Sequence, residues 1–379
     1  MPNKENAEEL LNLQDRKPEL AEKQKRLRRL LAENGLDAIL ISRHENIAWA
    51  TAGLVDLRIG LLRETGAGSL LITKEGKSYY LTTNNEAPRL AEEEFAQLDY
   101  EPLIQPWYAN DTQASIRKVL GAGKVAGDVA LGSTEAVSLQ PLRLELTASE
   151  IVRYRWLGRH TADTAATVLQ SVRPGMSEAK IQAMLAECLI ARGILPSVYL
   201  VAVDDRIRGY RHAVPRAGML QRFGMLGFCA RRWGLSVSMT RFVHFGAMPS
   251  ELEDKFAAVA QVNARFLHAV RKGTSSDELF TITQEAFASV GYAGEERLHH
   301  HGGATGYMER EWVARMGGTE CVVAQQAFAG NPNLQGAKIE DTFVLQNGTL
   351  ELLTGTPQLP TVTTQWIGTN YCSAGALAG

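Results

Sequence analysis

RIRGYRHAVPRAGMLQRFGMLGFCARRWGLSVSMTRFVHFG, residues 206–246, is the stretch from which the rest of the fold is read. MLGFCARR and LSVSMTRFVHF set aromatic and β-branched residues at near-alternate positions, and Trp233-Gly234 between them supplies a turn. Alternation of this kind, broken by a glycine-containing pair, predicts a β-hairpin. His212 stands just before it, followed by a turn at Pro215. Gly227 and Ser238, one on each strand, would lie near each other, and neither is a carboxylate. The hairpin therefore lacks a metal-binding pair of its own.

Upstream, residues 149–171 read as a long helix, with Ile151, Tyr154, Leu157, Ala165 and Val168 on one face and Thr147 or Ser149 as cap. RPGMSEAKI turns through Pro174-Gly175 into a second helix that ends at Gly193, and SVYLVAV at 197–203 reads as a strand. Downstream come helices over about 250–271 and 276–290 and then closing strands, so that a helix pair followed by strands occurs twice. This is an internal pseudo-repeat. The N-terminal part differs: a helix at 18–35 with Gly35 as C-cap, a buried strand at 37–42, a hairpin around Glu75-Gly76, a helix near 84–96 and a strand at 124–130. Strands alternating with helices predict an α/β domain with a mixed sheet. The composition shift at PLRLELTASE places the boundary between residues 1–146 and 147–379.

The length of 379 residues suits two domains, and 45% hydrophobic with 22% charged residues is ordinary for a globular chain. A net charge of −2 gives no footprint for nucleic acid, and KQKRLRR at 23–29 reads as a solvated helix face. Cys188, Cys229, Cys321 and Cys372 are too far apart for a C-x-x-C pair, which favours reduced thiols in a cytoplasm. The polar first residues contain no apolar targeting segment, and no apolar run is long enough to span a membrane.

SMTR at 238–241, GGATGY at 302–307, MERE at 308–311, NPNLQGAKIEDT at 331–342 and LELLTGTP at 350–357 follow one another in an order that resembles the creatinase/aminopeptidase P/Xaa-Pro dipeptidase superfamily. The resemblance covers nearly the whole chain. It implies a creatinase-type N-terminal domain and a pita-bread C-terminal domain of α+β architecture with pseudo-two-fold symmetry. Metal-dependent members hold a dinuclear site with two Asp, one His and two Glu. Carried over, these positions fall on Gly227, Ser238, the neighbourhood of Gly303, Asn331 and Glu340. One strong ligand in five cannot hold two hard divalent ions, which need several anionic oxygens. The expectation is a dismantled metal site and no cofactor.

The resemblance places His212 where the family has a histidine touching the scissile group, and creatinase uses such a histidine to hydrolyse a C–N bond without metal. His212 is thus the expected general acid/base, with Glu340 beside it; an ion pair of Glu340 with Arg241 or Arg310 is the structural alternative. Arg310-Glu311 corresponds to an Arg-Glu pair of creatinase and is read as an anion clamp. His301 is a further substrate-binding candidate, and His299 with His301 and Glu340 is a candidate one-metal set. In the loop-rich segment 44–66, Arg58 and Arg63 are candidates for holding a substrate carboxylate bidentately. In dimeric relatives the matching loop approaches the neighbouring subunit, so a homodimer is expected. Cys229 reads as a small core residue rather than a nucleophile, and the glycines at 302–306 do not form a phosphate loop. The function expected is metal-independent hydrolysis of an amide or amidine C–N bond in a small polar substrate or short peptide. The alternatives are a metal-dependent Xaa-Pro peptidase with a rearranged site and a non-catalytic binding protein.

Overall fold

The structure is a computed structural model that describes residues 13–130, 132 and 136–379. Most of the N-terminal stretch read for targeting signals, residues 1–12, lies outside the described residues, as do 131 and 133–135. The chain divides into two compact units, 1–143 and 144–379.

The first unit opens with helix Leu13–Glu33, which Gly35 ends with a positive φ of 61°. A five-stranded mixed sheet follows, in the order Glu101–Gln105, Ser78–Thr83, Thr65–Thr73, Ala38–Arg43, Val125–Gly127. Strand Ala38–Arg43 runs antiparallel to Thr65–Thr73 and parallel to Val125–Gly127. Two details differ from the sequence reading. Part of the 44–66 loop is a helix, His44–Ala50, which sinks Ile47 and Trp49 into the core. The helix expected over 84–96 is a short turn, Ala87–Arg89, continued as a π-turn over Leu90–Glu94.

The second unit begins with helix Ala148–Ser171, whose start is a reciprocal cap: the Thr147 hydroxyl accepts from Glu150 N–H, and the Glu150 carboxylate accepts from Thr147 N–H. Helix Glu178–Ile190 and strand Leu195–Val203 follow. The hairpin comes next, Phe223–Arg232 and Leu235–His244, joined by Trp233 (φ 53°) and Gly234 (φ 79°). Two positive φ values make the turn that matches the right-handed twist of the strands. Strand Ala376–Ala378 lies parallel on the outer side of Leu235–His244, completing a four-stranded sheet. The second half repeats the scheme. Helices Ser250–Ala269 and Ser276–Ser289 precede a five-stranded sheet ordered Trp312–Val313, Gly302–Thr305, Gln326–Gly330, Asp341–Gln346, Thr349–Leu352. One bridge, Thr240 to Glu340, stitches the two sheets together. Two apolar clusters fill the unit: one packs Phe223 and Phe242 of the hairpin against Phe256 and Phe287 of the second-half helices, and the other gathers Phe266, Trp312, Phe328 and Phe343.

Candidate functional site

The site is built where the hairpin meets the strand that starts at Asp341. In the hairpin register Gly227 faces Thr240 and Cys229 faces Ser238, so all four positions lie on one face of the sheet. Glu340 arrives on that face through the Thr240 bridge. Its Oε2 accepts from Thr240 Oγ1 at 2.7 Å and from Lys338 Nζ at 2.7 Å, and its Oε1 accepts from Arg310 Nη2 at 3.0 Å. Arg310 Nη1 also donates to Ser238 Oγ at 2.9 Å. Glu340 and Lys338 are both buried. Burial alone would raise the Glu340 carboxyl, but the Lys338 ammonium and Arg310 guanidinium outweigh it and hold the pKa at about 2. Two cations thus flank one carboxylate, leaving the cluster with a formal excess of positive charge.

Lys338 is absent from the sequence candidates. Its signal was the spacing: in extended backbone, residues two apart project to the same side, so Lys338 must accompany Glu340.

The histidines form a second cluster. His212 Nε2 lies 2.9 Å from His299 Nε2, and the His299 and His300 rings stack at 4.5 Å. One ring nitrogen from each of His212, His299 and His300 lies within 4.8 Å of the others. Burial, followed by the neighbouring cations and imidazoles, pushes the pKa of His299 to about 2 and of His300 to about 3. His212 is exposed, yet it too is lowered, first by desolvation and then by Lys338. All three rings are therefore neutral at pH 7.

The candidate one-metal set of His299, His301 and Glu340 is corrected. His301 is buried against Phe287 and its Nε2 meets the Glu295 carbonyl, while Glu340 is held by its two cations. The same burial removes His301 from the substrate-binding candidates. The Arg310-Glu311 clamp does not form either. The two side chains diverge, Arg310 to Glu340 and Glu311 to the Tyr307 N–H at 3.0 Å. Arg58 belongs to the first unit, where it is chelated by its neighbour Asp56, and Arg63 is an exposed residue of the same loop. Arg241 pairs with Asp341, so Arg310 is the partner of Glu340. Cys229 is buried, with its thiol pushed up to about 12, chiefly by desolvation, which makes it a core residue.

Two sheets joined at a charged seam, preceded by an α/β domain, define a two-domain chain of the pita-bread type. A model described as metallopeptidase family M24 matches residues 153–347, and one for the creatinase/prolidase N-terminal domain matches 23–152. The chain belongs to family M24, within the creatinase/aminopeptidase P superfamily. It is similar to a probable dipeptidase PepE of Mycobacterium tuberculosis, 23% identical over 218 residues, which are 55% of this chain and 57% of that relative's length. Among solved structures, it resembles an Xaa-Pro dipeptidase from Bacillus anthracis (TM-score 0.71, 20% identity, 89% of this chain and 98% of the other). The dipeptidase PepE of Mycobacterium ulcerans is comparable (0.72, 18%, 90% and 97%). So is the N-terminal domain of the FACT complex subunit SPT16 from chickpea (0.63, 12%, 89% and 96%).

The donor set does not fit the two metal ions the family name implies. A Cβ at Gly227 would sit 3.0 Å from Thr240 Oγ1, and one at Gly303 would sit 2.1 Å from the Trp312 carbonyl oxygen. Neither position can carry a ligand without rearrangement. Ser238 offers a hydroxyl already bonded to Arg310, Asn331 offers an uncharged amide, and Glu340 is already paired with two cations.

Proposed function

We propose that the chain hydrolyses an amide or amidine C–N bond in a small polar substrate or short peptide without divalent metal, with His212 as general acid/base. The observation that carries this reading is the replacement of the expected metal seat by Arg310 and Lys338 around Glu340. In such a reaction water adds its oxygen to the carbon, the C–N bond breaks, and the water proton ends on the departing nitrogen. Fixed cations can stabilise the oxyanion that develops on the way. His212, kept neutral at pH 7, can accept and return the proton. Four cysteines without disulfide partners support a reducing, cytoplasmic setting.

The test is a panel of small amides, amidines and Xaa-Pro dipeptides assayed with and without a chelator. Turnover indifferent to chelator, and lost about 10²–10⁴-fold in His212→Ala with unchanged melting, is the expected result. Activity that appears only when Mn²⁺ or Co²⁺ is added would establish the metal-dependent peptidase instead. A second reading, a non-catalytic binding protein, is favoured by one observation: both Glu340 oxygens are engaged by Thr240, Lys338 and Arg310, which makes the carboxylate a paired structural group rather than a free base. Specific binding without turnover across the panel would establish it.

A further inference from the structure

The polar groups behind His212 form a chain whose direction can be worked out atom by atom. Arg211 donates to the side-chain amide of Asn333. A guanidinium has only donors, so the amide atom facing it is Oδ1. The other amide atom lies 3.4 Å from the Asn331 carbonyl oxygen, which only accepts, so it is Nδ2. Two independent neighbours thus fix the same orientation, as an assignment from the hydrogen-bond network requires. Asn333 Nδ2 lies 2.8 Å from His299 Nδ1. His299 Nδ1 is therefore the acceptor, and the neutral ring carries its proton on Nε2. That N–H points at His212 Nε2, 2.9 Å away, which must accept it. The proton of neutral His212 then sits on Nδ1, at the exposed end of the chain.

We propose that Arg211, Asn333 and His299 are positioning residues that hold His212 as a neutral imidazole offering Nδ1–H, so that the ligand meets it with a carbonyl or carboxylate oxygen. Asn333 is anchored at the start of the chain by Arg211, which also bonds the Asn333 carbonyl at 3.1 Å and pairs with Glu295. Each donor in such a series polarises the next, strengthening the terminal N–H. Asn333 is also the cross-strand partner of Lys338, so the donor chain and the cationic cluster share one two-residue ladder. Both favour an acceptor, and the excess positive charge favours an anionic one. The same arrangement engages the facing nitrogens of two imidazoles, His212 and His299, as a donor and an acceptor already paired, while His300 Nδ1 is buried without a partner. Proton uptake at His212 Nε2 requires His212 to part from His299, so its basic nitrogen is occupied while the chain is intact. The ligand part of this proposal rests on His212 being the substrate-contacting residue; the tautomer part does not.

The test is the tautomeric state of each histidine, read from long-range ¹H–¹⁵N correlation spectra of the full chain at pH 7.5. Expected in the wild type are His299 protonated on Nε2 and His212 on Nδ1. Asn333→Asp keeps the partner of Arg211 but presents an acceptor to His299, so both rings should switch, His299 to Nδ1–H and His212 to Nε2–H. His299→Gln retains an amide donor and should leave His212 as Nδ1–H, which decides the matter if the first variant does not fold. A wild-type His212 protonated on Nε2, or tautomers unmoved in folded Asn333→Asp, overturns the proposal. Titrated acetate should shift the His212 Nδ1 signal and methylammonium should not; the reverse overturns the ligand class. Absence of turnover on every amide tried would sink the hydrolase reading and leave these spectra standing.

Discussion

Glu340 holds the charge cluster together, and its two cations are not equivalent in what their loss would do. Removing the carboxylate leaves the buried Lys338 and the partly buried Arg310 without their common counter-charge. Breaking a buried pair in this way costs roughly 3–5 kcal/mol. Removing Lys338 leaves Glu340 still paired with Arg310. Urea unfolding at pH 7 should therefore show Glu340→Gln much less stable than Lys338→Met; equal losses would mean that Arg310 does not compensate. The pH dependence has a definite sign. The folded pKa of Glu340 is depressed to about 2 from an ordinary 4.5, so its stabilisation is complete above about 4.5 and is lost as pH falls toward 2. The gap between wild type and Glu340→Gln should close over that window. Glu340 and Arg310 were legible in the sequence because motifs mark them. Lys338 and Asn333 were not: the motif names positions, whereas their roles depend on a two-residue ladder that pairs them across a turn.

Among the elements, strand Gly302–Thr305 admits the least change. A Cβ at Gly303 would come within 2.1 Å of one backbone atom and 2.7 Å of another on the neighbouring strand, and backbone cannot swing aside as a side-chain tip can. Gly303→Ala should destabilise the fold by about 3 kcal/mol, the upper range of overpacking. A thermal melt within a degree of wild type would show that the sheet yields there. The long elements were readable because their signals are redundant. Helix Ala148–Ser171 has both apolar periodicity and a reciprocal cap, and the hairpin has both alternation and a Gly-containing turn. His44–Ala50 escaped for the opposite reason. Seven residues make under two turns, and its N-cap, Arg43, supplies no side-chain hydrogen bond. Only burial of Ile47 and Trp49 in tertiary packing commits that segment to a helix.

At the scale of the whole molecule, the 44–66 segment ends in a run that leaves Ile59, Leu61 and Leu62 exposed. Together with the pairing expected from the family resemblance, this supports a two-fold homodimer in which that loop is covered. Light scattering at micromolar concentration should give twice the 41.5 kDa chain mass, and Leu62→Glu should shift it toward one chain. A wild-type monomer would remove this part of the picture. No helix among the described residues is long and apolar enough to cross a membrane. The two-fold plan of the second unit was visible in the repeated order of helices and strands, but where its halves join was not. That join includes the Thr240–Glu340 bridge, in which Thr240 N–H donates to the Glu340 carbonyl while its hydroxyl holds the same residue's carboxylate. One residue is both rivet and electrode. Other bonds cross the same seam, from Ser238 N–H to Thr342 Oγ1 and from Arg241 to Asp341, so the charge that a ligand would meet is set in an edge fastened at several points.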